Sequence, residues 1–171
     1  MILEFENALS DNCCDALIEF FENNTKHHER LDKDGAPNFT QLRVPRAAFE
    51  LEEEVRTAFL NIHGMYRDQF PFVPALNAFE QPRIKKYTAG GTDRFDQHVD
   101  VVDHVSARRA LAIQFYLNTV SNGGRTLFEE KAVLPIKGNA FAFPPMWTYP
   151  HRGEAPMSND KYILTTYVHY I

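Results

Sequence analysis

The stretch Phe95-Asp96-Gln97-His98-Val99-Asp100 decides how the rest of the chain is read. At its centre is His98-x-Asp100, a histidine and a carboxylate two residues apart. In an extended strand, side chains at i and i+2 point to the same face, so an imidazole nitrogen and a carboxylate oxygen converge on one point. Such a pair is two members of the 2-His-1-carboxylate arrangement, which holds non-haem Fe(II) and leaves coordination positions open. The third ligand should be a histidine from a distant strand on the opposite side of a barrel. His151, in Tyr149-Pro150-His151-Arg152-Gly153, is the candidate. An isolated His-x-Asp means little, so the surroundings must carry the reading.

The chain has 171 residues, of which 44% are hydrophobic and 24% charged. That suits one domain over residues 1–171 with a sizeable core. The formal net charge of -5 offers a nucleic-acid backbone no general attraction. Cys13 and Cys14 are adjacent, and neighbours cannot staple distant parts of a fold, so they read as reduced, buried thiols. Met1-Ile2-Leu3-Glu4 does not open a secretion signal, and no apolar run approaches membrane-spanning length. The expectation is a soluble, cytoplasmic protein with no membrane partner.

The chain then divides by pattern. Met1 to Phe5 reads as a short strand. Ser10 or Asp11 caps a helix over 11–23, with Ala16, Leu17, Phe20 and Phe21 at helical spacing. Residues 25–43 are polar and read as a long loop, in which His27 and His28 are solvated; long loops of this kind are often lids or binding loops. Ala48, Leu51, Val55, Phe59 and Ile62 mark a second helix, ending near Met65 to Asp68, with His63 near its C-terminal end where a cation suits the dipole. From residue 75 onward, short runs are punctuated by Gly, Pro and Asn. Strands are expected at Ala78–Tyr87, Phe95–Val102, Ala110–Leu117, Thr126–Phe128, Ala132–Val133, Asn139–Phe143 and Tyr162–Tyr170. Helices followed by about seven short strands predict an α+β fold, with helical support over 1–74 and a jelly-roll of antiparallel strands over 75–171. Arg152 to Pro156 reads as a turn.

Fe(II) in such a site needs two further electrons for oxygen chemistry, and a keto acid chelating the metal supplies them. Its far carboxylate then needs a buried cation. Lys161 opens an otherwise apolar strand ten residues after His151. An inward ammonium there is costly unless it has a task. Tyr116 alternates with Phe115 and Leu117, so if those two pack behind the sheet, Tyr116 faces the lumen.

Tyr87-Thr88-Ala89-Gly90-Gly91, then Phe95 to Asp100, resembles the Tyr-x-x-Gly…aromatic-x-x-His-x-Asp motif of the prolyl 4-hydroxylase family of Fe(II)/2-oxoglutarate dioxygenases. Phe115-Tyr116-Leu117-Asn118, Gly123-Gly124-Arg125-Thr126-Leu127-Phe128 and Pro135 to Pro144 are similar to that family's later motifs, and His151 with Lys161 fits its closing pair. The match runs over about residues 76–171, and Asp11–Asn23 resembles the family's N-terminal helix. The resemblance implies a double-stranded β-helix, cupin-like, with N-terminal helices packed on one sheet. It implies iron ligation by His98, Asp100 and His151, a Lys161 pairing with the distal carboxylate of 2-oxoglutarate, a hydrogen bond from Tyr116 to the same group, and Tyr87 beside the metal-proximal end. Tyr87 stands eleven residues before His98, one more than the motif, through its double glycine.

The activity so implied is hydroxylation of a C–H bond, with succinate and CO2 released and ascorbate as a candidate reductant. Retention of the Asp100 carboxylate leaves no position for a halide ligand, which favours hydroxylation over halogenation. The expected substrate is a prolyl or other residue of a peptide or protein, with Trp147, Tyr149 and Arg152 lining its path. Alternatives are a free amino acid or other small molecule, or a non-catalytic cupin-like binding module. A nucleic-acid demethylase of this fold typically uses arginine where Lys161 stands, and the acidic balance also counts against it.

Overall fold

The computed structural model describes residues 1–33, 37–45, 53–73, 75 and 78–170. Two α-helices, α1 (Asp11–Asn23) and α2 (Glu53–Gln69), accompany twelve strands among these residues. Chain order gives β1 (Leu3–Phe5), β2 (Glu29–Asp32), β3 (Asn38–Arg43), β4 (Ala78–Phe79), β5 (Arg83–Tyr87) and β6 (Phe95–His98). There follow β7 (Arg109–Tyr116), β8 (Thr126–Phe128), β9 (Ala132–Val133), β10 (Ala140–Phe143), β11 (His151–Gly153) and β12 (Lys161–His169). The major sheet runs β1-β10-β7-β12-β5-β3-β2 with β4 against β12, and the minor sheet runs β6-β11-β8-β9. All the named pairings are antiparallel. The result is the double-stranded β-helix expected from the sequence.

Ser10 starts α1, its Oγ accepting from the Cys13 amide at 3.2 Å, which satisfies one of the free N–H groups of the first turn. The buried stripe of α1 is Cys13, Cys14, Leu17 and Phe21; that of α2 includes Val55, Phe59, Ile62 and Tyr66. Both stripes pack on one face of the major sheet, against Ile84, Leu111, Ile113, Phe115, Leu164 and Val168. Truncating a fully buried ring such as Phe21 or Phe59 should cost about 3–5 kcal/mol. The other face turns Phe39, Tyr87, Ala112, Tyr116, Phe141, Phe143, Ile163 and Tyr167 toward the minor sheet. Strand β12 is buried at all nine positions because helices cover one face and the minor sheet the other. Cys13 and Cys14 are buried and form no disulfide, and burial pushes the Cys14 thiol up to about 11.

Several expectations need correction. Residues 25–43 are not a plain loop: β2 and β3 pair with each other, and β3 pairs with β5, extending the major sheet. The segment expected as helical support therefore also supplies strands. His28 is not solvated, for its ring stacks on Phe21 at 4.0 Å and its Nε2 lies 2.9 Å from the Phe21 carbonyl. His63 is buried, facing the core rather than the solvent. The run expected at Ala78–Tyr87 is broken at Pro82, which has no N–H for a ladder. The run expected at Phe95–Val102 ends at His98, so Asp100 lies just past a strand rather than within it. Arg152 and Gly153 belong to β11, not to a turn. Of the second helix, Ala48 and Leu51 lie outside the described residues.

Candidate active site

Strands β6 and β11 are neighbours, with His98 directly opposite His151; they do not face each other across a barrel. The ladder itself thus brings the two imidazoles together, at 4.3 Å between ring centroids. Phe95 stacks on the His98 ring at 3.4 Å and 8° and fixes its plane. Each histidine is oriented by its own backbone. His98 Nδ1 donates to the Asp96 carbonyl at 2.8 Å and His151 Nδ1 to the Tyr149 carbonyl at 3.1 Å. Both Nε2 atoms are then left as lone-pair donors facing the same point, the usual device that orients metal-binding histidines.

Asp100 completes the group. Its Oδ1 lies 3.6 Å from His98 Nε2 and its Oδ2 3.7 Å from His151 Nε2. These separations exceed an ordinary hydrogen bond and suit three donors grouped around one ion. One ligand atom from each residue lies within 4.8 Å of the others, in the one such group of histidine, cysteine and acidic side chains found among the described residues. Burial opposes the Asp100 charge, but His98 and His151 outweigh it and hold the carboxyl at about 2. Burial lowers His151 to about 4, with Asp100 acting in the opposite direction. A carboxylate and a neutral imidazole are the forms a cation binds.

The loop carrying Asp100 is held from two sides. The amides of Asp100 and Val101 both donate to the Pro145 carbonyl at 3.1 Å. Arg109 Nη1 donates to the Asp100 carbonyl at 2.8 Å, while its Nε and Nη2 grip the Glu80 carboxylate, each at 2.8 Å. Glu80 also meets Arg83 at 2.5 Å and His169 at 3.0 Å. Burial works against the Glu80 charge, but Arg109 and Arg83 prevail and hold it at about 2. Sequence reasoning missed this cluster; Glu80, Arg83 and Arg109 are spread over strand ends, and no local pattern joins them.

Deeper in the cleft, Lys161 is 1% exposed. It lies opposite Tyr87 in the β12–β5 ladder, and its Nζ sits 4.3 Å from the centre of the Tyr87 ring. That ammonium donates to the Gly124 carbonyl at 3.0 Å. Desolvation lowers its pKa to about 7, with Glu154 opposing. Gly123 and Gly124, at φ +74° and +72°, turn the chain so that this carbonyl points inward; a Cβ on Gly123 would stand 2.3 Å from the Ala155 oxygen. Phe115 and Leu117 pack on the helix side and Tyr116 in the cluster between the sheets, as the alternation requires. The Tyr116 hydroxyl, however, shares a 2.7 Å hydrogen bond with Thr126 Oγ1. Thr126 lines the cleft beside Lys161, and so does Tyr87. Thr126 is a residue the sequence reading did not assign.

Of the expected rim residues, Trp147 is exposed, Tyr149 is half-buried against the inter-sheet cluster, and Arg152 points away. The alternation of β11 sends His151 and Gly153 into the cleft and Arg152 to the outside. Lys85, also unassigned from sequence, lines the cleft with Lys161 and the three candidate ligands.

The donor set has the composition of a 2-His-1-carboxylate metal centre. The profile of the 2OG-Fe(II) oxygenase superfamily matches residues 82–169, which is half of the chain, and the protein belongs to that superfamily. It is accordingly a 2-oxoglutarate-dependent dioxygenase, the family implying Fe(II) and 2-oxoglutarate. A search of curated proteins finds no match. Among solved structures, the chain is similar to the viral collagen prolyl hydroxylase of Paramecium bursaria Chlorella virus-1, with TM-score 0.79 and 18% identity over 99% of this chain and 96% of that one. It is also similar to a prolyl hydroxylase of Trichoplax adhaerens solved with a hypoxia inducible factor peptide fragment (TM-score 0.79, 13% identity, 98% and 83% covered). A prolyl-4-hydroxylase of Pseudomonas putida gives TM-score 0.74 at 16% identity, with 99% and 92% covered. Among the described residues, no helix is long and apolar enough to cross a membrane.

Proposed function

We propose that the chain hydroxylates a C–H bond in a peptide or protein, most simply a prolyl residue, with His98, Asp100 and His151 as the Fe(II) ligands. The observation that carries the reading is one carboxylate between two backbone-oriented imidazoles, 3.6 and 3.7 Å from their Nε2 atoms. When bound, Fe(II) with 2-oxoglutarate supplies the oxidative decarboxylation that releases succinate and CO2 and delivers oxygen to the substrate. The protein supplies the rest. Lys161 pairs with the far carboxylate of the diacid. Thr126, with Tyr116 behind it, adds a hydroxyl at the same end, and the Tyr87 ring walls the cleft beside the chain of the diacid. Burial keeps Tyr87 and Tyr116 protonated by raising their pKa values, so both remain donors.

A polypeptide substrate is supported by the surface next to Asp100. Val102, Val105 and Trp147 are large, apolar and 74%, 68% and 78% exposed. They sit on two segments joined through the Pro145 carbonyl. Exposed apolar side chains on the loop that carries Asp100 and on the segment hydrogen-bonded to it offer contacts to a partner chain. The peptide held by the Trichoplax adhaerens prolyl hydroxylase supports the same class of substrate. Ascorbate belongs to this reading as a reductant that restores Fe(II). The two reduced cysteines support a cytoplasmic setting.

The test is succinate release by the purified chain given Fe(II), 2-oxoglutarate and oxygen, with proline-rich peptides, free amino acids or neither. Peptide-stimulated succinate and a peptide gaining one oxygen atom are expected. Stimulation by a free amino acid alone would overturn the polypeptide assignment, and absence of turnover with intact metal binding would overturn the hydroxylase.

A further inference from the structure

Two lysines, not one, reach into the cleft from the major sheet. Lys161 faces Tyr87, and two residues along each strand Ile163 faces Lys85. Same-face positions lie about 6.6 Å apart along a strand and neighbouring strands about 4.8 Å apart, so the two lysine α-carbons stand about 8 Å apart on the diagonal, and their flexible stems can bring one ammonium to each carboxylate of a five-carbon diacid. The minor sheet places its own rungs opposite, with a register shift between His151 and Gly153. A Cβ on Gly153 would stand 3.9 Å from Lys161 Nζ, and Gly153 pairs with Phe95. One rung further the pair is His151 with His98. Lys85 therefore stands on the rung that faces the metal-binding histidines, while Lys161 stands on the deeper one.

Lys85 makes no hydrogen bond or ion pair among the described residues; its Nζ meets the Phe39 ring at 4.9 Å, and Asp100 is the carboxylate that attracts it most. Its neighbour Lys86 is by contrast satisfied outside the cleft, by Glu22 at 2.8 Å and Asp160 at 3.3 Å. An ammonium turned into a largely enclosed cleft with no acceptor is costly, and the alternation of β5 offered an easy apolar choice at this position.

We infer that Lys85 is a second cation for the dicarboxylate cosubstrate, meeting the carboxylate at the metal end while Lys161 meets the far one. The inference rests on the proposed 2-oxoglutarate site. It makes the cleft a two-ammonium cradle in which each carboxylate of the diacid meets its own cation. The Phe39 ring, on the adjacent strand, lies under the Lys85 ammonium.

Calorimetric titration of the full-length, metal-free chain with glutarate and with pentanoate reads the two lysines without the metal's own hold. Glutarate should bind at least about tenfold more tightly than pentanoate, the scale of one charge-assisted hydrogen bond. Lys85→Met should remove that preference and leave pentanoate affinity as it was. Lys161→Met should weaken both acids, and Lys85→Arg should restore the preference. Lys85→Gln serves as a second neutral variant, with circular dichroism verifying the fold of each. A preference that survives in both neutral variants would overturn the role of Lys85 while leaving the Lys161 site intact. Failure of the unaltered chain to bind either acid would overturn the 2-oxoglutarate site itself.

Discussion

Replacing Lys161 by methionine should destroy cosubstrate binding yet stabilise the ligand-free protein. The side chain is 1% exposed, and its ammonium has one protein acceptor, the Gly124 carbonyl at 3.0 Å. Burial lowers its pKa from 10.5 to about 7; Lys85 reinforces the effect and Glu154 opposes it. In the unfolded chain the same group keeps its proton to about pH 10.4. Between those two values the unfolded state binds more protons than the folded one, so stability rises with pH across that window. At about pH 7 the desolvated ammonium therefore costs on the order of 4 kcal/mol, each pH unit of the gap being about 1.4 kcal/mol. Methionine fills a similar volume without charge, and leaves the Gly124 carbonyl unpaired at a cost of about 1–2 kcal/mol. The net expectation is a gain of about 2–3 kcal/mol, read by urea unfolding without ligands. The gain should shrink as the pH is raised to about 10, because the unfolded lysine then also approaches neutrality. A variant less stable than the unaltered protein at neutral pH, or a difference independent of pH, would refute the reasoning.

Other outcomes follow from the same geometry. Glu80→Gln should cost about 3 kcal/mol, since it leaves Arg83 and Arg109 facing each other without their carboxylate, and it should weaken metal binding by loosening the Arg109 grip on Asp100. Because the folded pKa of Glu80 is depressed to about 2, its contribution in the unaltered protein is present above the ordinary carboxylate range and lost as the pH falls toward 2; unfolding curves of both proteins in acid check this. Gly123→Ala should cost about 2 kcal/mol or more in thermal unfolding, from a positive φ and a clash with the Ala155 carbonyl. Tyr116→Phe should cost about 1 kcal/mol and raise the 2-oxoglutarate KM several-fold with little change in kcat, because Thr126 loses the partner that aims its hydroxyl.

The candidate site was legible because its determinants are short-range. His98 and Asp100 sit two residues apart in a nearly extended segment, and His151 stood within a spaced series of motifs. What the sequence concealed was how β6 and β11 pair, since register between strands far apart in the chain leaves no local trace. The β2–β3 hairpin escaped notice because Glu29-Arg30-Leu31-Asp32 lies at a sheet edge, where alternation is not enforced by burial on both faces. It is anchored instead by Arg30, which grips the buried Asp93 at 2.8 and 3.0 Å. Asp93 in turn caps the Thr88 amide at 2.9 Å, fixing the turn before β6. Lys85 was hidden in Arg83-Ile84-Lys85-Lys86, where charges fall on both faces of the strand; only the placement of α1 shows that Lys86 faces outward to Glu22 and Lys85 inward. Thr126 and Arg109 belong to the same class, for each acts through a contact that only the closed barrel creates.

Metal content after anaerobic loading with Fe(II) and removal of excess ion is the decisive number. One iron per chain should be found in the unaltered protein and almost none in folded His98→Ala, Asp100→Ala or His151→Ala. Full iron occupancy in any of the three variants, or none in the unaltered protein, would contradict the ligand assignment from which the chemistry is built.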